Sequence, residues 1–303
     1  MARKKKNKNK KVMNTIFSII ILLILTIFSQ SQEIQNNIEE TVSKQPISES
    51  SRNSIIIGSG EIESKENLKV YFIDVGQADS ILIINGNESG LIDAGNNEDG
   101  QDIVNFIKEK GITKLNYIIG THPHEDHIGG LDDVINNIDV DKIYLPQIQT
   151  TTKTYEEVLE AIQNRNKKIN SLKKGDKLTI GEAEAQVMTD SILDKNNLNL
   201  SSNIIKLEFN GTSFLFTGDA EIENEESVQW EQIDILKVGH HGSTTSTSQK
   251  FLNQIKPQYA IISVGKDNDY GHPKDKIIRR LQDIGAKIYR TDECGTIEVI
   301  VMK

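Results

Sequence analysis

Three of the chain's six histidines fall within six residues, in the run Thr121-His122-Pro123-His124-Glu125-Asp126-His127. With Asp126 they crowd four metal-capable side chains into a space that one ion cannot collect comfortably. In an extended stretch, residues two apart point to the same side, so His122 and His124 can share one ion. Asp126 and His127 stand where a helix is expected to begin and can turn toward a second ion. Imidazole with carboxylate suits zinc, and also manganese or iron in mixed nitrogen–oxygen sites. The run follows an apolar strand candidate at 115–120 and precedes an amphipathic stretch at 128–137. Loops beyond strand ends are where α/β folds assemble their sites. Any fold for this chain must therefore hold that loop at a strand end and bring further ligands to it.

The other three histidines lie in similar places. His240 and His241 sit in Gly239-His240-His241-Gly242-Ser243, just past an apolar strand candidate at 233–238. His272 lies in Tyr270-Gly271-His272-Pro273, in the loop that follows the strand candidate at 259–263. The strand candidate at 212–217 runs into Gly218-Asp219, and a carboxylate there is well placed to bridge two ions. One histidine of the 240/241 pair is expected to close the second ion while the other lines the pocket. His272 has two readings: a catalytic group able to hydrogen-bond a phosphate or protonate a leaving group, or a structural histidine before Pro273.

From Leu68 onward, short apolar runs alternate with amphipathic stretches. Further strand candidates lie at 68–75, 79–85, 90–93, 142–145, 204–209, 286–290 and 296–301, and helix candidates at 101–110, 154–167, 248–255 and 274–284. The pattern predicts one mixed α/β domain over 67–303 with helices covering sheets. Cys294 is the sole cysteine, so neither an internal disulfide framework nor a cysteine-rich zinc finger is available.

Residues 1–31 read as an address. Basic residues at 3–11 precede an apolar run at 16–28, a length between a signal-peptide core of about 7–15 residues and a membrane span of about 17–25. An export signal or an uncleaved anchor is expected, the anchor being preferred, with the remaining chain outside the membrane or secreted. The tract 32–66, rich in Gln, Asn, Ser and Glu, reads as a flexible polar linker. Residues 1–31 hold seven of the 35 basic and none of the 44 acidic residues, so the rest carries a net charge of −16. Such a body attracts polyanions poorly unless bound cations reverse the field locally.

These residues together resemble the metallo-β-lactamase superfamily, and within it the hydrolase domain of ComEC-type competence proteins. The resemblance rests on Phe72-Ile73-Asp74-Val75-Gly76-Gln77-Ala78-Asp79-Ser80, Leu91-Ile92-Asp93-Ala94-Gly95, the 121–130 run, Thr217-Gly218-Asp219, Lys237-Val238-Gly239-His240-His241-Gly242-Ser243, Tyr270-Gly271-His272-Pro273 and Arg290-Thr291-Asp292. It implies an αββα four-layer sandwich, two divalent ions (zinc or manganese) and hydrolysis by a metal-bound hydroxide. By position, His122, His124, Asp126, His127 and Asp219 match the ligands, with His241 favoured over His240 for the last place. Asp126 and Asp219 would also take part in the chemistry. Asp93 matches a residue that supports the histidine loop from behind the metal, although an ordinary turn residue fits too. Asp74, Gln77 and Asp79 either face the site or stabilise a turn. A further histidine usual between the first cluster and the bridging aspartate is missing, and Asn203 or Ser202 stands roughly in its place. The first ion would then keep an open position.

The resemblance points to a phosphodiester substrate, DNA among the candidates, and so to a phosphodiesterase or nuclease. Alternatives are hydrolysis of a lactone, a β-lactam or a cell-wall phosphocholine ester, and a metal-binding surface protein without catalysis. The sequence indicates no protein partner, and with one apolar run it cannot form a DNA channel.

Overall fold

Runs such as Ser213-Phe214-Leu215-Phe216 have no polar face, and a strand made from one must be covered on both sides. In the computed structural model, which describes residues 53–303, two sheets pack face to face. The strands are β1 (Ser54–Ile57), β2 (Leu68–Phe72), β3 (Ser80–Asn85), β4 (Glu88–Ala94), β5 (Lys114–Ile119), β6 (Asp139–Tyr144), β7 (Ile169–Asn170), β8 (Lys177–Ile180), β9 (Ala183–Val187), β10 (Ile205–Phe209), β11 (Thr212–Phe216), β12 (Ile235–Lys237), β13 (Tyr259–Ile262), β14 (Lys287–Arg290) and β15 (Ile297–Val301). The helices are α1 (Gly100–Glu109), α2 (Glu125–Ile128), α3 (Leu131–Asn137), α4 (Lys153–Asn164), α5 (Ile222–Glu226), α6 (Gln249–Ile255), α7 (Asp275–Asp283) and α8 (Thr291–Cys294). One sheet has the order β1-β15-β2-β3-β4-β5-β6-β7, the other β14-β13-β12-β11-β10-β9-β8.

Three apolar layers hold these elements. Val70, Phe72 and Ile81 of the first sheet meet Leu207, Phe214 and Phe216 of the second. Behind the first sheet, Ile103, Val104, Val134 and Val158 of α1, α3 and α4 cover Leu82, Leu91 and Ile118. Behind the second, Phe251, Leu252, Ile277 and Leu281 of α6 and α7 cover Leu215, Leu236 and Ile262. The result is the expected αββα sandwich. Local chemistry agrees with it. Ile103, Val104 and Ile107 recur at helical spacing on one face of α1. The hydroxyls of Thr152 and Ser248 accept hydrogen bonds from Tyr155 N and Phe251 N, capping α4 and α6.

Strand direction places the site. β4, β5 and β6 run parallel, so the loops after β4 and β5 emerge side by side. β11, β12, β13 and β14 also run parallel, so the loops carrying Asp219, His240–His241 and His272 emerge together from the second sheet.

Two expectations need correction. The helix expected over 128–137 is broken at Gly129-Gly130, because the Asp93–Asn96 segment passes directly beneath. Gly129 N donates to Gly95 O at 2.9 Å and Gly130 N to Ala94 O at 3.0 Å. A Cβ on Gly129 would lie 2.2 Å from the Asn96 carbonyl carbon, so only glycine fits. The linker expected to reach 66 ends earlier, since Ser54–Ile57 pair in parallel with β15 and Ile55 enters the inter-sheet layer. Its apolar patch seeks cover in spite of the polar flanks. Strands β7, β8 and β9 and helices α5 and α8 were not foreseen, being short or rich in charged residues. The expected export signal or anchor lies outside the described residues. Among the described residues, no helix is long and apolar enough to cross a membrane.

If β1 is integral to the sandwich, Ile55→Ala costs about 2–5 kcal/mol of stability. Denaturant unfolding of the full chain measures this, and a loss under about 0.5 kcal/mol would return the segment to a tether.

Candidate metal centre

His122, His127, Asp219, His241, Asp93, Asp79 and Lys237 are all buried at one end of the sandwich. Burial of so many ionisable groups is costly unless each meets a partner. The structure supplies those partners on the outer side of the cluster and leaves the inner side open.

Asp93 does the outer work for the histidine loop. Its backbone is left-handed at φ 59°, which aims its carboxylate back under the loop. Thr121 donates to it twice, through its amide at 2.7 Å and its hydroxyl at 2.8 Å. His127 donates from Nδ1 to Asp93 at 2.8 Å, which leaves Nε2 as the free ring nitrogen. That Nε2 sits 3.2 Å from Asp219 Oδ1. His241 is held likewise, giving its Nδ1 hydrogen to Ser263 O at 2.9 Å. Its Nε2 lies 3.3 Å from Asp126 Oδ2 and 3.6 Å from Asp219 Oδ1.

One ligand atom from each of Asp126, His127, Asp219 and His241 therefore gathers within 4.8 Å of the others. His127 Nε2, His241 Nε2 and Asp219 Oδ1 are buried and without a hydrogen-bond partner. Orphaned atoms of this chemistry, converging in pairs of nitrogen and oxygen, fit a divalent cation such as zinc or manganese.

The second half of the pocket is looser. His122 Nε2 faces His124 Nδ1 at 3.0 Å and lies 3.9 Å from Asp219 Oδ2. His240 Nε2 lies 3.6 Å from the same oxygen. His240 and His241 both have left-handed backbones, at φ 49° and φ 50°, so the chain reverses between them and aims both rings inward. Such conformations cost on the order of 1–3 kcal/mol per residue outside glycine and persist only where the surroundings enforce them. Thr245 Oγ1, 3.0 Å from His240 Nδ1, and Glu221, 3.7 Å away, do so here. The histidine pair thus serves both oxygens of Asp219. His240 stands on the side where no histidine from 128–239 arrives. Asn203 does not fill that place: it is buried and donates to Thr189 O at 3.2 Å.

The other expected residues divide. Gln77 borders the pocket and accepts a hydrogen bond from Gly265 N at 3.1 Å. Asp74 follows the second of its two readings: it is exposed and accepts from Gly76 N at 3.3 Å, stabilising the turn after β2. His272 lines the pocket with Nδ1 buried and unpartnered.

Lys237 was not foreseen as functional. It is fully buried at the end of β12, its Nζ paired with Asp79 and donating to Gly218 O at 3.1 Å. Asp79 in turn lies 3.7 Å from His127 Nδ1 and 3.8 Å from His241 Nδ1. A lysine closing an otherwise apolar strand was the available signal, since lysine is almost never fully buried unpaired.

Electrostatics follow the geometry. Burial opposes charge on His127, but Asp219, Asp93 and Asp126 outweigh it and push its pKa well above the usual range. Burial also opposes charge on His241, and Asp219 and Asp126 raise it nonetheless. Asp219 is driven well below the carboxylate range because His127 and His241 overcome its burial. Burial and the nearby His127 depress His122, and burial depresses His124. His272 falls to about 4 through burial and the neighbouring His240 and His241, so it is neutral at neutral pH and suits hydrogen bonding rather than proton release.

A profile of the metallo-beta-lactamase superfamily matches residues 73–266, and the chain belongs to that superfamily. It is 34% identical over 252 residues to "ComE operon protein 3" of Bacillus subtilis (strain 168), covering 76% of this chain and 32% of that one. It is 28% identical over 231 residues to "Competence protein ComA" of Neisseria gonorrhoeae, covering 74% of this chain and 31% of that one. The chain thus spans about a third of the length of these curated relatives. The crystal structure of the metallo-beta-lactamase fold protein YhfI from Bacillus subtilis shares the fold, with a TM-score of 0.55 at 12% identity over 77% of this chain and 99% of that one.

Two outcomes check the centre. Lys237→Met leaves Asp79 buried and unpaired and costs about 3–5 kcal/mol, while adding Asp79→Asn recovers much of it. Chemical denaturation of both variants measures this, and equal stability of wild type and Lys237→Met would remove the pair from the framework. The neighbouring carboxylates raise the pKa of His127 and His241, so protons must leave when a cation binds and metal affinity rises as pH rises above the ordinary histidine range. Calorimetry in buffers of differing ionisation heat detects the released protons, and an affinity flat with pH would contradict the ligand assignment.

Proposed function

We propose that the chain is a metal-dependent phosphodiesterase, a nuclease of the competence-protein kind, working outside the membrane. The observation that carries the reading is the gathering of Asp126, His127, Asp219 and His241 around unpartnered nitrogen and oxygen atoms, with Asp126, Asp219 and His241 lining an open cavity of about 320 Å³. The near-complete ligand set argues against a metal-binding protein without catalysis. Competence in the name of a relative supports a DNA-related substrate. The basic and apolar N-terminal residues support a location beyond the membrane, anchored or secreted.

Two divalent ions, zinc or manganese, would be held by Asp126, His127 and His241 on one side and His122, His124 and His240 on the other, with Asp219 between. Bound there, they supply Lewis acidity and a water acidified toward neutral pH. The chain's own residues do the rest. Asp219 offers Oδ1 to one group of histidines and Oδ2 to the other. Asp126, partly exposed to the cavity, orients the attacking water by accepting its hydrogen bond. Asp93 fixes the tautomer of His127, and Ser263 O that of His241. Neutral His272 at the cavity wall donates a hydrogen bond to a phosphate oxygen where negative charge grows.

The test is metal content followed by assays of the full chain on a phosphodiester, single-stranded DNA, a lactone, a β-lactam and a phosphocholine ester. Metal-dependent turnover of the phosphodiester is expected, and Asp219→Ala reduces kcat by at least about a hundredfold. Phosphodiester turnover that survives in Asp219→Ala would overturn the mechanism, and turnover confined to another ester or amide would reassign the substrate.

A further inference from the structure

Tyr270 is the most exposed large hydrophobic-ring residue of the described chain, with 66% of its surface open, yet it lines the cavity that holds Asp126 and Asp219. Its ring is not loose. It lies nearly parallel to the His272 imidazole, with centroids 5.7 Å apart and 23° between planes. The loop beneath is stiff. Asn268 donates to Gly265 O at 2.9 Å and His272 O at 2.7 Å, and accepts from His272 N at 3.0 Å. Lys274 Nζ donates to Tyr270 O at 2.5 Å. One face of the ring rests on His272. Among the described residues, His272 is the ring stacked against it, and most of the Tyr270 surface is open to solvent. A rigid, flat, half-covered aromatic surface beside a cavity is an arrangement that costs apolar exposure without a ligand.

We propose that Tyr270 is a stacking platform for an unpaired nucleobase adjoining the phosphate to be cleaved. The inference rests on the phosphodiesterase reading and adds to it a residue that positions the substrate. Base–aromatic stacking tolerates any sequence, because every base has a flat face. In a duplex those faces are already covered by neighbouring base pairs, so a base must be unstacked to reach the ring. The imidazole under Tyr270 extends the stack. A choline headgroup would instead favour an aromatic cage around a cation, and Tyr270 offers a single open face.

Binding and turnover are measured together on the full chain in detergent. The ligands are a single-stranded oligothymidylate and the same strand with abasic sugars. Wild type is expected to bind the base-bearing strand about tenfold more tightly. Tyr270→Ala brings that ratio close to one, and Tyr270→Phe keeps it. A lower kcat in Tyr270→Ala with the ratio intact would mean that the ring merely packs His272, and would overturn the platform. Preference for a phosphocholine ester lost in Tyr270→Ala would overturn it as well. A base-dependent ratio without cleavage of either strand would sink the phosphodiesterase reading while leaving the platform standing.

Discussion

The buried pairing of Lys237 with Asp79 joins the two sheets at the point where the chemistry sits. Asp79 precedes β3 in the first sheet and Lys237 ends β12 in the second. A charge in either place alone would be expelled from so dry an interior. Once paired, the two set the distance between the sheet ends, and the groups around them fall into place. Asp79 N donates to Asp126 O at 3.0 Å, Gly95 N donates to Asp79 O at 2.8 Å, and Lys237 holds Gly218 O beside Asp219. The loops from both sheets that build the centre are each tied to this pair.

Around it the sandwich concentrates negative charge. Asp79, Asp93 and Asp219 are buried, with Asp126 beside them, and Lys237 is the one permanent cation among these groups. The shortfall appears as histidines that hold their protons. A divalent cation answers the same shortfall with more charge in less space. The fold thereby prepares the centre for metal before any metal arrives, and its stability and its affinity for cations share a cause.

Much of the centre could be read from the chain because its parts are local. His122, His124, Asp126 and His127 fall in one turn of chain, and Asp219, His241 and His272 each follow an apolar strand. The sandwich was legible through family resemblance and through strands without a polar face, such as Thr212–Phe216. What escaped notice depends on contacts between distant residues or on backbone conformations that residue type does not announce. The left-handed turn at His240 and His241 brings one ring to each oxygen of Asp219, whereas the sequence reading gave one histidine to an ion and the other to the pocket lining. Lys237 owes its place to Asp79, a partner far away in the chain that its own surroundings in sequence do not announce. Asp74, close to Asp79 in sequence, turns outward because β2 has already ended. β1 was hidden by its polar flanks, β8 by its shortness, and β9 by the solvent-facing Glu184 and Gln186.

Asp219 has one further consequence. Its two oxygens look into different halves of the pocket, so those halves cannot titrate or fill as strangers. A cation drawn to Oδ1 changes the field felt at Oδ2, and the influence must be equal in the reverse direction. With two ions bound as proposed, occupancy of this pocket would be a single linked equilibrium with two arms, and an apparent affinity measured at one arm would carry the state of the other.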